Sequence, residues 1–163
     1  MCAMKRWLSL LFVLVTLAAA RGSRSTVEPS EPLSKQQYQQ RLQELVWKDQ
    51  IAAVPLYDDL VMGPRPQSEC ARKARAFHAK LETIVAKVEA LSPPEDVADL
   101  QDEFLGAARE SVDKVGEAVD DVEAGKLACG EQLNRAIYGL PSTGRAEQAL
   151  SGIESKGYVI FGE

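Results

Sequence analysis

Catalysis needs a side chain that can move a proton, hold a metal or attack a bond. This chain of 163 residues is sparing with such groups, and His78 is its single histidine. An acid–base imidazole needs an orienting partner, and a metal site needs several ligands. His78 falls beside an apolar stripe, one turn before Glu82, and reads as a half-exposed structural residue. Haem held between helices would need a second axial ligand. Met62, the one methionine beyond the N-terminal region, sits in a connecting stretch. Carboxylates cluster at Asp58-Asp59 and at Asp120, Asp121 and Glu123. At helical spacing they point in different directions and build no oxygen cage, so a solvated face paired with lysines is expected. The chain has no glycine-rich phosphate loop and no GxSxG. These readings assign no catalytic residue, no metal ligand and no cofactor, and the expectation is a protein that is not an enzyme.

Leu140-Pro141-Ser142-Thr143-Gly144 matches the pentapeptide that sortases cleave. A sorting signal also requires a membrane-length apolar segment and a basic tail. Residues 145–163 are amphipathic and end in acid. The pentapeptide therefore reads as an interhelical turn, with Pro141 ending one helix and Ser142 or Thr143 capping the next.

Export is the most specific signal. Lys5 and Arg6 precede an apolar run, Trp7–Ala20, that closes on three alanines before Arg21. This is the pattern of a secretory signal peptide over 1–20. The run is short for a bilayer span. An uncleaved anchor is the alternative, supported by Arg21 and Arg24, because positive charge resists translocation. Cys2 precedes the run and so is not placed as a lipid-modified N-terminus. The expected localisation is secreted or cell envelope, with membrane contact only through the N-terminal segment if it is kept. Loss of 1–20 removes Lys5 and Arg6 and no acid, which leaves 17 bases against 24 acids, a net −7. That charge argues against nucleic acid as a partner.

Two cysteines then remain, Cys70 and Cys129. An even count in an exported chain suggests a disulfide, with two separate buried thiols as the alternative. They form no CxxC motif, so redox catalysis is not expected.

Helices must position these residues. Cys70, Ala74, Phe77, Leu81, Ile84, Val88 and Leu91 recur at steps of four and three, the rhythm of an amphipathic helix packed lengthwise. That helix is expected from a Ser68 cap to Leu91. Before it, 21–33 reads as a flexible tether. A helix then starts at Ser34, with Gln37 completing a capping box, and ends near Val54 because Pro55 follows. Residues 55–67 read as an irregular connection. After Ser92, taken as a cap with Pro93 in the first helical position, a long helix presents Val97, Leu100, Phe104, Ala108, Val112, Val115, Val119 and Val122. It stops at Gly125. A fourth helix carries Leu127 to Leu140, and a short fifth runs from Arg145 to Ser155. The apolar tail Tyr158–Phe161 is expected to pack on the bundle.

Lys73, Lys80 and Lys87 on one helix, and Glu117, Glu110 and Glu103 on the next, predict an antiparallel hairpin with these residues paired in that order. The same chain reversal brings Cys70 and Cys129 to one end, where a bridge closes a loop of about 60 residues and stabilises by about 4 kcal/mol on the chain-entropy model.

Leu33-Ser34-Lys35 with Tyr38, the turn Leu91-Ser92-Pro93-Pro94, and the helix end Glu123-Ala124-Gly125 resemble features of uncharacterised exported helical domains of bacteria. The resemblance covers most of 33–163. It implies a helical bundle and export, and no activity.

The reading is an all-α protein: a signal peptide, a tether, and over 34–163 an up-and-down antiparallel bundle of four main helices plus a short C-terminal one. The expected function is a noncatalytic binding or structural module at the cell envelope, its partner an unknown protein. The alternative is a carrier holding a small apolar ligand between helices near Phe77, Phe104 and the Tyr158–Phe161 tail.

Overall fold

The computed structural model describes residues 31–46 and 50–161. The expected leader and most of the tether lie outside the described residues. Every regular element among those residues is helical: α1 (Lys35–Glu44), α2 (Gln50–Val61), α3 (Gln67–Glu89), a 3-10 turn (Glu95–Val97), α4 (Ala98–Glu123), α5 (Glu131–Ile137) and α6 (Pro141–Ser155).

Helix α1 opens with the expected capping box. The Ser34 hydroxyl accepts from the Gln37 N–H, and the Gln37 side chain accepts from the Ser34 N–H at 3.1 Å. Two of the four exposed N–H groups of the first turn are satisfied in this way. Pro55 does not end a helix. It lies inside α2, which runs on to Val61. An interior proline costs about 3 kcal/mol, but the turns beyond it carry Leu56, Tyr57, Leu60 and Val61 onto the core, and Leu60 is fully buried. Full burial of Leu60 and partial burial of the other three, at about 1.5–3 kcal/mol for a fully buried side chain, offset the missing hydrogen bond.

Helix α3 begins one residue before the expected cap. Ser68 makes no cap, and Pro66 holds that position without a side-chain bond. Gln67 in its first turn serves α4 instead, its amide donating to the carbonyls of Val122 and Leu127 near the end of that helix. Ser92 does not cap α4 either, and Pro93 is not its first residue. A residue before proline is driven out of helical geometry, so Pro94 keeps Pro93 extended and helical structure starts at Glu95. Leu33, the last residue of the stretch read as tether, donates its N–H to the Ser92 carbonyl at 2.9 Å. Helix α4 ends as expected, with Gly125 at φ +73.

The last third departs most from expectation. The fourth helix shrinks to the seven residues of α5, because Gly130 at φ +95 breaks the chain just before Glu131. The fifth lengthens to fifteen residues. Pro141 occupies its first turn, where a missing N–H costs nothing. The pentapeptide is therefore the start of α6 rather than a turn before it.

Helices α3 and α4 run antiparallel, but not in the expected register. Lys73 pairs with Asp59 and Glu69, Glu110 with Arg145, and Glu117 with Lys114. The cross-helix pairs are instead Arg75–Glu123 at 2.8 Å and Arg109–Glu89 at 2.7 Å. Arg75 to Glu89 and Arg109 to Glu123 are equal spans, so one register satisfies both pairs.

Two apolar clusters result. The first joins α2, the front half of α3, the back half of α4, and α5, around Cys70, Phe77, Val119 and Leu133. The second joins α1, the back of α3, the front of α4, α6 and the tail, around Tyr38, Val88, Leu105 and Ile153. Tyr158 and Ile160 of the tail are buried there, while Val159 and Phe161 are half exposed.

Candidate functional site: an apolar cleft between two cores

Along the α3 stripe, Cys70, Ala74, Phe77, Val88 and Leu91 are buried, but Leu81 and Ile84 are only partly so. The α4 stripe behaves alike, with Phe104, Ala108 and Val112 partly open between well-buried ends. The two interruptions face one another. They frame a cleft of about 260 Å³ where the first cluster gives way to the second.

Each wall has a local origin. Helix α3 supplies Phe77, Leu81, Ile84 and Val85 from successive turns. Helix α4 supplies Phe104 and Val115 at the ends and the small Ala108 and Ser111 between them. The space opens where those small residues stand. Ile137 closes α5, and Leu140, Thr143 and Ala146 follow along the α6 approach. Tyr57 of α2 completes the lining, its ring 6.0 Å from that of Phe77.

Among the described residues no charged side chain lines the cleft. Its buried polar groups are engaged within the protein. The Tyr57 hydroxyl donates to Asn134 Oδ1. Ser111 bonds to the Ala107 carbonyl at 3.1 Å and to the Ser142 hydroxyl at 2.7 Å. Thr143 is exposed to solvent. Burial, then the neighbouring Tyr138 and Asp58, push the Tyr57 hydroxyl above its ordinary pKa, so it stays neutral. Such a wall attracts no ion, and apart from the solvent-facing Thr143 hydroxyl its side-chain donors and acceptors are engaged. Its chemistry is exclusion of water from hydrocarbon.

The cysteines meet at one end of the first cluster. The Cys70 and Cys129 sulfurs lie at disulfide-bonding distance, with Cα atoms 5.6 Å apart, Cys70 in the first turn of α3 and Cys129 in the turn before α5. Phe77 and Phe104 line the cleft, whereas the tail Tyr158–Phe161 does not. Tyr158 packs edge-on to Tyr38 and donates to Asp96 at 2.8 Å. His78 is half buried, its Nδ1 3.8 Å from Glu82, and Gly116 admits its ring. Asp121 pairs with Lys126, Glu123 with Arg75, and Asp59 with Lys73 and Arg65. Among the described residues no three His, Cys, Asp or Glu side chains gather as a metal site would need. None of their helices is long and apolar enough to cross a membrane.

The carrier alternative expected an apolar ligand near Phe77 and Phe104, which do line the cleft, whereas Leu81, Ile84, Ala108 and Val112 were read only as inward-facing positions. For those four the local signal was the run of small residues Ala107, Ala108 and Ser111 in α4, and small residues mark close helix approach as readily as a void. The chain matches no protein-family model, and neither curated proteins nor solved structures give a significant match.

Proposed function

We propose that the protein is an exported, noncatalytic binding module that holds a small apolar ligand in the cleft between α3, α4, α5 and the start of α6. In this reading the helices form an up-and-down bundle at the cell envelope or outside the cell, which the leader-like N-terminus and the cysteine pair support. The observation that carries the proposal is the cleft of about 260 Å³ with no charged lining residue and its buried hydroxyls already paired.

Size and polarity define the ligand class. An apolar cavity of about 150 Å³ accepts a benzene ring, so this cleft takes a fused ring or a ring with a short chain. A ligand that loses roughly 250 Å² of apolar surface gains about 6 kcal/mol, which corresponds to dissociation constants of tens of micromolar. A buried polar substituent would lose its water without finding a partner, at a cost of about 1–3 kcal/mol. The preferred ligand is neutral hydrocarbon.

The test is titration with N-phenyl-1-naphthylamine, a neutral dye that brightens in apolar surroundings. Saturable one-to-one binding is expected. Ala108→Trp and Val112→Phe should each abolish it by filling the cleft, with helical content unchanged by circular dichroism. Absence of saturable binding, or binding indifferent to both substitutions, would refute the proposal.

A further inference from the structure

We infer that oxidation of Cys70 and Cys129 makes the cleft competent to bind, rather than holding the whole fold together; the inference rests on the cleft being the binding site.

Helix α5 begins just past the bridge. At seven residues it is too short to hold its own helical form, and it must be positioned from outside. Four fixings do so, and all lie on the first cluster. Cys129, two residues before the helix, joins Cys70 in the first turn of α3. The Gly130 N–H donates to the Leu60 carbonyl of α2 at 2.8 Å. The Tyr57 hydroxyl reaches Asn134. Leu133 and Ile137 are buried. Helix α5 and its continuation carry Ile137 and Leu140, and α2 carries Tyr57, so the elements held by these fixings form one wall of the cleft.

The second cluster is built otherwise. It takes no residue from α2 or α5 and neither cysteine. Helix α6 lies along α4 beyond the reach of the bridge, fixed by Arg145 to Glu110 and by Ser142 to Ser111. Loss of the bridge removes the one covalent fixing of the four and loosens the α5 wall, while α1, the front of α4, α6 and the tail stay packed. Stability is distributed in units of this kind, and the least anchored unit opens first.

In chemical terms the two thiols lose two protons and two electrons as the S–S bond forms. A disulfide of a dithiol oxidoreductase in an oxidising compartment accepts them and becomes the dithiol. Before that step α5 samples its docked position only part of the time, and apparent affinity falls by that fraction. The chain is thus weakly binding while its thiols are reduced and competent once the bridge has formed.

The experiment titrates the bridged full chain with N-phenyl-1-naphthylamine, before and after reduction by dithiothreitol, beside the double variant Cys70→Ser/Cys129→Ser. Docking one tenth of the time weakens binding about tenfold, and a loss of that size is expected for both thiol forms, with the circular dichroism signal retained. Amide exchange should quicken over 127–140 and not over 97–105. Equal affinity in bridged and reduced protein would overturn the inference and leave the binding proposal standing. Collapse of helical content on reduction would overturn it as well, because the second cluster would then depend on the bridge. Failure of the bridged protein to bind the dye would instead refute the cleft as a site, and the inference with it.

Discussion

Ser111 of α4 and Ser142 of α6 place their hydroxyl oxygens 2.7 Å apart beside the cleft, and the pair is directional. A serine carries one proton. Ser111 donates its own to the Ala107 carbonyl at 3.1 Å, so Ser142 supplies the proton between the two. Ser142 is 1% exposed and has no water to fall back on. Ser142→Ala leaves Ser111 bonded and should cost no more than about 1 kcal/mol, whereas Ser111→Ala strands a buried hydroxyl and should cost about 1–3 kcal/mol. The double variant should resemble Ser142→Ala alone. Urea midpoints of the three variants measure the asymmetry, and equal costs for the two single changes would reverse the assigned direction.

Tyr38 and Tyr158 stack edge to face with opposite fates for their hydroxyls. Tyr158 donates to Asp96 at 2.8 Å, while the fully buried Tyr38 hydroxyl has no partner among the described residues. Tyr158→Phe should cost about 1 kcal/mol and Tyr38→Phe should be neutral or stabilising at pH 7.

The same pair sets an alkaline limit. Burial, with the Asp96 bond second, raises Tyr158 from 10.0 to about 12, and burial, with Tyr158 nearby, raises Tyr38 also. The folded chain keeps phenolic protons that the unfolded chain releases, so this stability is complete below pH 10 and declines as pH rises toward 12. Urea midpoints measured from pH 8 to pH 12 should fall over that window, and less steeply in Tyr38→Phe.

Pro55 interrupts the hydrogen bonds of α2 without ending it. Pro55→Ala restores one backbone donor and should raise stability by about 1–3 kcal/mol. Thermal unfolding with and without the substitution decides this, and a lower midpoint would show that α2 needs the proline.

Gly130 holds φ +95 and starts the α5 wall. Gly130→Ala strains that conformation and should cost more than about 1 kcal/mol. Because Gly130 also anchors α5 to Leu60, dye affinity should fall with it. Unchanged affinity alongside lower stability would separate the wall from the binding site.

Legibility followed locality. The capping box at Ser34 and the stop at Gly125 were readable because each is settled within four residues. The inward faces of α3 and α4 were readable from their period. The hairpin register was not. Surface ion pairs contribute at most about 1 kcal/mol each, so the lysine and glutamate ladders could be drawn in several registers at nearly equal energy. Apolar packing chose the one that pairs Arg75 with Glu123. Pro55 misled for a related reason, since local preference yields where the next turns have a core to enter. The cleft was legible only as a place for a ligand near Phe77 and Phe104, and its extent was not, because it belongs to no single helix. Leu81 and Ile84 look like any core pair until the register sets them against small side chains of α4.

The amino-acid sequence by itself determined an all-helical domain, where α3, α4 and α6 stop, and which faces turn inward, because caps, glycines and hydrophobic period act over one or two turns. Tertiary structure alone decided how far those helices slide past one another. That slide is fixed by the sum of many weak contacts between distant segments, and it left a hollow where one core gives way to the other.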